Sequence, residues 1–259
     1  MALELHDNPF SPYAFKVRSV LYEKGIEFEQ HELRHAADRE RLLRLNPRGE
    51  VPVLVDGQDV IADSQVICAY LEERFPEPAL VPSDAISRAR CRYLELKSDT
   101  DVDACLFVLA LIKHTRRDVL QAVPEALLRC KELLASHYAF LERELAGRAW
   151  FLDRFSLADI ALTPHLRAAA FLGSPPGPER PALSAWLERV SQRPSLRRAT
   201  RELAAAFAAS QTDPDPIFDA RRLQWRSDRI EAAVRCGMGA WLLAQLDAGS
   251  AFLPTLPGT

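Results

Sequence analysis

A small α/β unit followed by an all-helical domain is the fold the sequence predicts, and three observations predict it. Short strand-like runs alternate with helical patterns up to residue 76; a Pro-rich connector from Phe75-Pro76-Glu77-Pro78 to Pro82-Ser83 then breaks the pattern. Beyond the connector, the apolar spacing is helical throughout. At 259 residues and 48% hydrophobic, the chain is long enough for two ordinary domains and apolar enough for a real core.

Each element has a local reason. Ala2 to His6 reads as a strand. Ser11 is placed as an N-cap, Pro12 suits the first helical position, and Gly25 stops the helix that runs to Lys24. Glu27 to Leu33 is a second strand, with Ile26 and Phe28 as apolar anchors, and Arg39 to Leu45 a short helix. Val53-Leu54-Val55 and Val60-Ile61 flank Asp56-Gly57-Gln58, which reads as a β-hairpin. Asp63 and Ser64 precede Val66, Ile67, Tyr70 and Leu71, whose spacing gives a helix one apolar face.

In the second domain, residues 84 to 115 are helical, and a further helix runs from Pro124 to Gly147 with Leu127, Leu134, Tyr138 and Leu141 inward. Ser156 with Asp159 three positions on reads as a structural capping box, with Trp150-Phe151-Leu152 fixing the chain's entry. A helix around Leu183 to Val190 follows a loop from Gly173 to Pro181. After residue 210, a rigid loop from Asp213 to Asp219 precedes an amphipathic stretch, Arg221 to Leu246, in which Gly237 and Gly239 kink or end a helix. The expected domains are 1–76, 84–210 and a helical extension, 211–259.

Charge and cysteine usage narrow the functions. A formal net charge of -3 gives no overall basic field, so nucleic acid is not an expected partner. No run approaches the roughly 18 apolar residues of a membrane span, and no leader pattern opens the chain, so a cytoplasmic protein is expected. Cys68, Cys91, Cys105, Cys130 and Cys236 are scattered, odd in number and never in a Cys-x-x-Cys pair, so buried reduced thiols are expected and no metal. Arg221, Arg222, Arg226 and Arg229 would suit a membrane or acidic partner, but Asp228 and Glu231 dilute them; the extension is expected to lie on the protein's own second domain.

Three segments carry chemistry. Ser11-Pro12 puts a hydroxyl at a helix N-terminus, where unpaired N–H groups and the helix dipole stabilise an anion or thiolate. Asn46-Pro47-Arg48-Gly49-Glu50-Val51-Pro52-Val53-Leu54 ends in a Pro that cannot donate to a ladder, leaving an edge on which an extended peptide can pair with Val51. Asp63-Ser64, at another helix start, offers a hydroxyl and N–H groups to a carboxylate and an acid to an ammonium. Each has an ordinary alternative: a cap, a turn, a helix start.

Together, Ser-Pro-aromatic-x-x-basic-Val-Arg, Asn-Pro-x-Gly-x-Val-Pro-Val-Leu and acidic-Ser-x-x-Ile-x-x-Tyr-Leu resemble the cytosolic glutathione transferase family over roughly residues 1 to 208. The Ser-Pro start is similar to its serine-type classes, tau and zeta. The resemblance implies a thioredoxin-like first domain, glutathione as co-substrate, a homodimer, and an apolar electrophile site between the domains. It implies that Ser11 donates to the glutathione sulfur, so that the thiolate is the nucleophile. Val51, before a cis Pro52, would pair with the cysteinyl backbone, and Asp63 and Ser64 would hold the γ-glutamyl end. Phe10, Tyr13, Cys105 and Phe107, with Asp101 beside them, would feed the second-substrate site, and Tyr13 is a lesser candidate for activating the thiol.

Two departures stand out. Glu50 occupies a position where several classes carry a basic or amide residue near the glycine carboxylate; Arg48, Arg39 or His35 would compensate. Asp63 is one methylene shorter than the usual Glu. The chemistry expected is conjugation, with glutathione-dependent isomerisation and thiolytic ether cleavage as alternatives. A non-catalytic relative that binds a protein through the extension is a further one. Thiol exchange is disfavoured, because Ser11 cannot form a mixed disulfide.

Overall fold

The computed structural model describes residues 3–33, 38–115, 118–210, 225–251 and 253, with only the backbone of 114 and 115. His35, the loop 213–219 and residues 221–223 lie outside the described residues.

The first domain runs β1 (Leu3–Asp7), α1 (Pro12–Glu23), β2 (Phe28–Glu32), α2 (Arg39–Leu45), β3 (Val53–Asp56), β4 (Asp59–Ala62) and α3 (Ser64–Arg74). Its sheet has the order β2-β1-β3-β4, with β1 and β2 parallel and the other pairs antiparallel. This is the thioredoxin-like arrangement. Alternation along β1 sends Leu3 and Leu5 into the core with Phe15, Val17 and Leu21 of α1. The opposite sheet face receives Leu42 of α2 against Val53.

The second domain comprises α4 (Ala85–Lys97), α5 (Asp103–Ala110), α6 (Val119–Ala122), α7 (Ala126–Leu145), α8 (Leu157–Phe171), α9 (Pro181–Val190) and α10 (Pro194–Ser210). The expected helix over 84–115 contains two π-helical stretches, Ser98–Val102 and Leu111–Thr115. Apolar periodicity does not reveal such widened turns, which gather at functional sites. The extension forms α11 (Ser227–Arg235) and α12 (Gly239–Asp247), parted at Gly237, whose φ of 82° ends the helix.

One core runs through both domains and the extension, from Leu3 to Trp225, Ala233, Trp241 and Ala251. Ser156 heads α8 with a capping box, as expected. Asp159 does more than cap: its carboxylate also accepts from Phe151 N (3.2 Å) and Trp186 Nε1 (2.8 Å), and burial pushes it up to about 6. All five cysteines are buried and free. Among the described residues, no helix is long and apolar enough to cross a membrane.

Candidate functional site

The turn between β1 and α1 is built by Asn8. Its Oδ1 accepts from Phe10 N (2.9 Å), its carbonyl accepts from Ser11 N (2.9 Å), and its side-chain amide donates to Leu33 O (3.2 Å). Ser11 is thereby held extended (φ -76°, ψ 123°) at the head of α1, with Pro12 at the first helical position. Its Oγ accepts from Ala14 N at 3.2 Å. A hydroxyl that accepts as a cap keeps its own proton to donate. No acidic side chain sits in the first turn, so the positive end of the helix is not offset there. Phe10 lies beside Ser11, half-buried.

The Val51-Pro52 peptide is cis, as the resemblance implied. Gly49 turns the chain just before it with φ of 65°; a Cβ there would meet Leu43 Cδ2 at 3.3 Å, so glycine serves both the angle and the close approach. Asn46 Nδ2 donates to Glu50 O at 2.8 Å. The Glu50 carboxylate is chelated by Arg48, with Nε at 2.8 Å and Nη2 at 3.3 Å. Of the residues expected to compensate Glu50, Arg48 pairs with it directly, while the Arg39 guanidinium lies near Gly49.

Asp63 caps α3 from a left-handed backbone, φ 77°. Its Oδ1 accepts from Gln65 N (2.8 Å) and Val66 N (3.3 Å), and Ser64 beside it is buried. The fields of Glu50, Arg226 and Asp63 all reach Arg48, and the Glu50 hydrogen bonds dominate in raising its pKa. Gln65 of α3 and Arg226 of the extension both reach Asp99, one at its carboxylate and the other at its carbonyl, which brings the start of α3 and the extension together.

Beneath them runs a buried ionic layer. The Lys16 ammonium, 1% exposed, donates to Glu95 Oε1 at 2.9 Å and to Asp99 Oδ2, and Gln65 Nε2 reaches the same Asp99 oxygen at 3.3 Å. Burial alone would lower the Lys16 pKa, and the two carboxylates more than reverse it. The layer joins α1, α3 and α4 across the domain boundary.

The extension closes the cleft above. Tyr13 donates its hydroxyl proton to Asp99 O (2.9 Å) and accepts from Arg226 Nη2. Burial, then Asp103, raises its pKa well above the usual value, and its one hydroxyl proton is engaged by the Asp99 carbonyl. Arg226 and Arg229 both donate to Asp103 Oδ2 at 2.9 Å. Burial pushes the Asp103 carboxyl up, but Arg229, His165 and Arg226 outweigh it and hold it well below the usual range. Trp225 stands edge-on to Phe107 at 5.0 Å, and Arg229 covers the same ring at 4.3 Å. Phe107 and Tyr13 are thus capped from above.

Cys105 lies elsewhere. It is 1% exposed, its carbonyl accepts from Cys130 Sγ of α7 (3.3 Å), and with Asp101 it lines a cavity of about 230 Å³ bounded by α5, α7 and α11. Among the described residues, none of the first domain lines that cavity. Asn8, Asp99, Asp103, Trp225 and Arg226 are the residues that sequence reasoning missed in these roles. The alternating Asp99, Asp101 and Asp103 and the arginine cluster were the available signals, but nothing local pairs them.

Residues 5–79 match the family model described as glutathione S-transferase, N-terminal domain, and 104–194 the C-terminal domain. A stringent starvation protein A homolog of Coxiella burnetii is 30% identical, over 78% of this chain and 94% of that protein. FtsZ-localized protein A of Caulobacter vibrioides is 31% identical, over 82% and 97%. The crystal structure of the β-etherase LigF from Sphingobium sp. strain SYK-6 superposes with a TM-score of 0.66 at 27% identity, over 78% of this chain and 100% of that one. With both domain models matched, and with relatives alike over nearly their whole length, this chain belongs to the glutathione S-transferase family.

Proposed function

We propose that this protein binds glutathione, ionises its thiol at the head of α1 and directs the thiolate at an apolar electrophile, as a serine-type transferase. The observation that carries this reading is Ser11 Oγ, held by the Asn8 turn with its proton free at an unoffset helix N-terminus. A donor and a positive helix end both favour the thiolate over a thiol of pKa about 8.5. Val51, before the cis bond, offers its main chain to the cysteinyl backbone; Asp63, in a strained left-handed conformation of the kind that gathers at ligand sites, faces the γ-glutamyl ammonium, and Ser64 its carboxylate. Glu50, chelated by Arg48, lies at the glycine end without a naked charge.

The electrophile lies between Phe10, Tyr13 and Phe107 under the roof of Trp225, Arg226 and Arg229, and the extension sets what fits there. Conjugation is the primary reaction; the likeness to a β-etherase supports ether cleavage, which uses the same thiolate. The family is typically dimeric, and exposed Val66, Ile86 and Tyr93 (54%, 81% and 47%) suit a homodimer face across the two domains. The protein acts in the cytoplasm on this reading.

A second reading has its own observation. The roof contacts Tyr13 and Phe107 directly, and one relative carries a name that refers to FtsZ rather than to a reaction. A non-catalytic module binding a protein partner would show both. Glutathione titration of wild type and Ser11→Ala separates the two, with ultraviolet detection of thiolate and calorimetric detection of binding. Wild type binding and ionising the thiol, with Ser11→Ala binding but not ionising it, supports the transferase; absence of binding by wild type at millimolar glutathione leaves the protein-binding module.

A further inference from the structure

A second concentration of chemistry lies on the first two strands. The parallel register sets His6 beside His31 and Glu4 beside Glu29. The two-residue period of a strand puts all four on the sheet face that carries Val53, the face covered by α2. The two imidazoles stack with centroids 4.7 Å apart and planes at 16°. Glu4 Oε2 lies 3.0 Å from His31 Nε2 and 3.7 Å from His6 Nε2, and Glu29 Oε1 lies 3.5 Å from His31 Nε2. One ligand atom from each of Glu4, His6 and His31 falls within 4.8 Å of the others.

Two features set this cluster apart from a surface ion pair. His6 is 3% exposed, its Nδ1 has no hydrogen-bond partner among the described residues, and its Nε2 stands beyond hydrogen-bond distance from Glu4. Buried polar groups are normally satisfied, so an imidazole this buried whose Nδ1 finds no partner among the described residues has hydrogen-bonding or ligating capacity left over. The donor set is also coherent. Two imidazole nitrogens and a carboxylate oxygen are the ligands of three-residue zinc-type sites with an open position, whereas calcium and magnesium call for six or more oxygens.

We propose that Glu4, His6 and His31 bind one divalent first-row transition ion of the zinc type. With donors at about 2.0–2.2 Å, a tetrahedral ion separates its ligands by roughly 3.3 Å, and the observed Glu4 distances of 3.0 and 3.7 Å bracket that value. His31, at 20% exposure, has room to turn its Nε2 toward the ion, and Glu29 or water completes the shell. The absence of paired cysteines, which argued against a metal from the sequence, does not bear on ligands brought together by strand register. The ion would pin the edge strand β2 to β1 on the sheet face opposite α1, so this site and the glutathione reading stand or fall separately.

The test is titration of untagged, chelator-treated, glutathione-free protein with Zn²⁺, and separately with Co²⁺ as a spectroscopic probe. One equivalent bound, with the intense visible bands of low-coordinate Co²⁺ and a Zn²⁺-dependent rise in Tm, is expected for wild type. His31→Ala, at a partly exposed ring, is expected to fold, to weaken binding at least tenfold and to abolish the Co²⁺ bands; Glu4→Gln is expected to weaken binding as well. Failure of wild type to bind either ion at 100 µM, or equal binding by wild type and His31→Ala, overturns the proposal.

Discussion

Arg226 of the extension donates a hydrogen bond to the hydroxyl of Tyr13, two residues beyond Ser11. The same guanidinium bonds Asp103, so a segment more than 200 residues away is tied to the first turn of α1 and to the start of α5. The far end of the chain thereby forms part of the cleft.

Arg226→Ala should loosen that roof without unfolding the domains. It removes a partly buried charge from Tyr13 and Asp103, with an expected cost of about 2 kcal/mol. Amide hydrogen exchange over residues 227–235 should quicken relative to α5, and bulkier electrophiles should be accepted. Unchanged protection would mean that Trp225 and Trp241 hold the segment alone.

Asp103→Asn probes the same roof by pH. The folded pKa of Asp103 is depressed, so its stabilisation is fully present above the unfolded carboxylate value near 3.8 and is lost as pH falls through the depressed value. The stability gap between wild type and variant, roughly 3 kcal/mol for a broken buried pair, should therefore stay constant from pH 7 to about pH 4 and narrow only below it. Denaturant unfolding at several pH values measures this.

Asp63→Asn separates cap from charge. Asn caps a helix as well as Asp and tolerates left-handed φ, so stability should change by less than about 0.5 kcal/mol. Loss of a charge-assisted bond to the glutathione ammonium should weaken glutathione binding about tenfold. Calorimetric titration beside thermal unfolding reads both quantities.

Lys16→Met leaves Glu95 and Asp99 facing one another without a cation at the domain boundary. A loss of roughly 3–5 kcal/mol is expected, and adding Glu95→Gln should restore part of it by removing one uncompensated charge. Chemical denaturation of the single and double variants decides.

The first-domain elements and the three site segments were legible because their causes are local. Ser11 with Pro12, the Asp56-Gly57 turn and Ser156 with Asp159 each act within three or four residues of chain, where φ preference and capping decide the outcome. Val51-Pro52 and Asp63 were legible as positions, though not the chelation of Glu50 by Arg48 or the left-handed strain at Asp63. Cys105 and Phe107, two residues apart on one helix, read alike in sequence yet face different neighbours.

Sequence by itself determined the two-domain order, the caps and turns that present Ser11, Val51 and Asp63, and the amphipathic nature of the extension. Tertiary structure alone decided that Lys16 meets Glu95 and Asp99, that Arg226 and Arg229 converge on Asp103, and that His6 and His31 stack beside Glu4. Caps and turns are fixed by torsions and hydrogen bonds between near neighbours in the chain. Ion pairs and ring contacts across elements depend on strand register and helix placement, which only packing of the whole core sets.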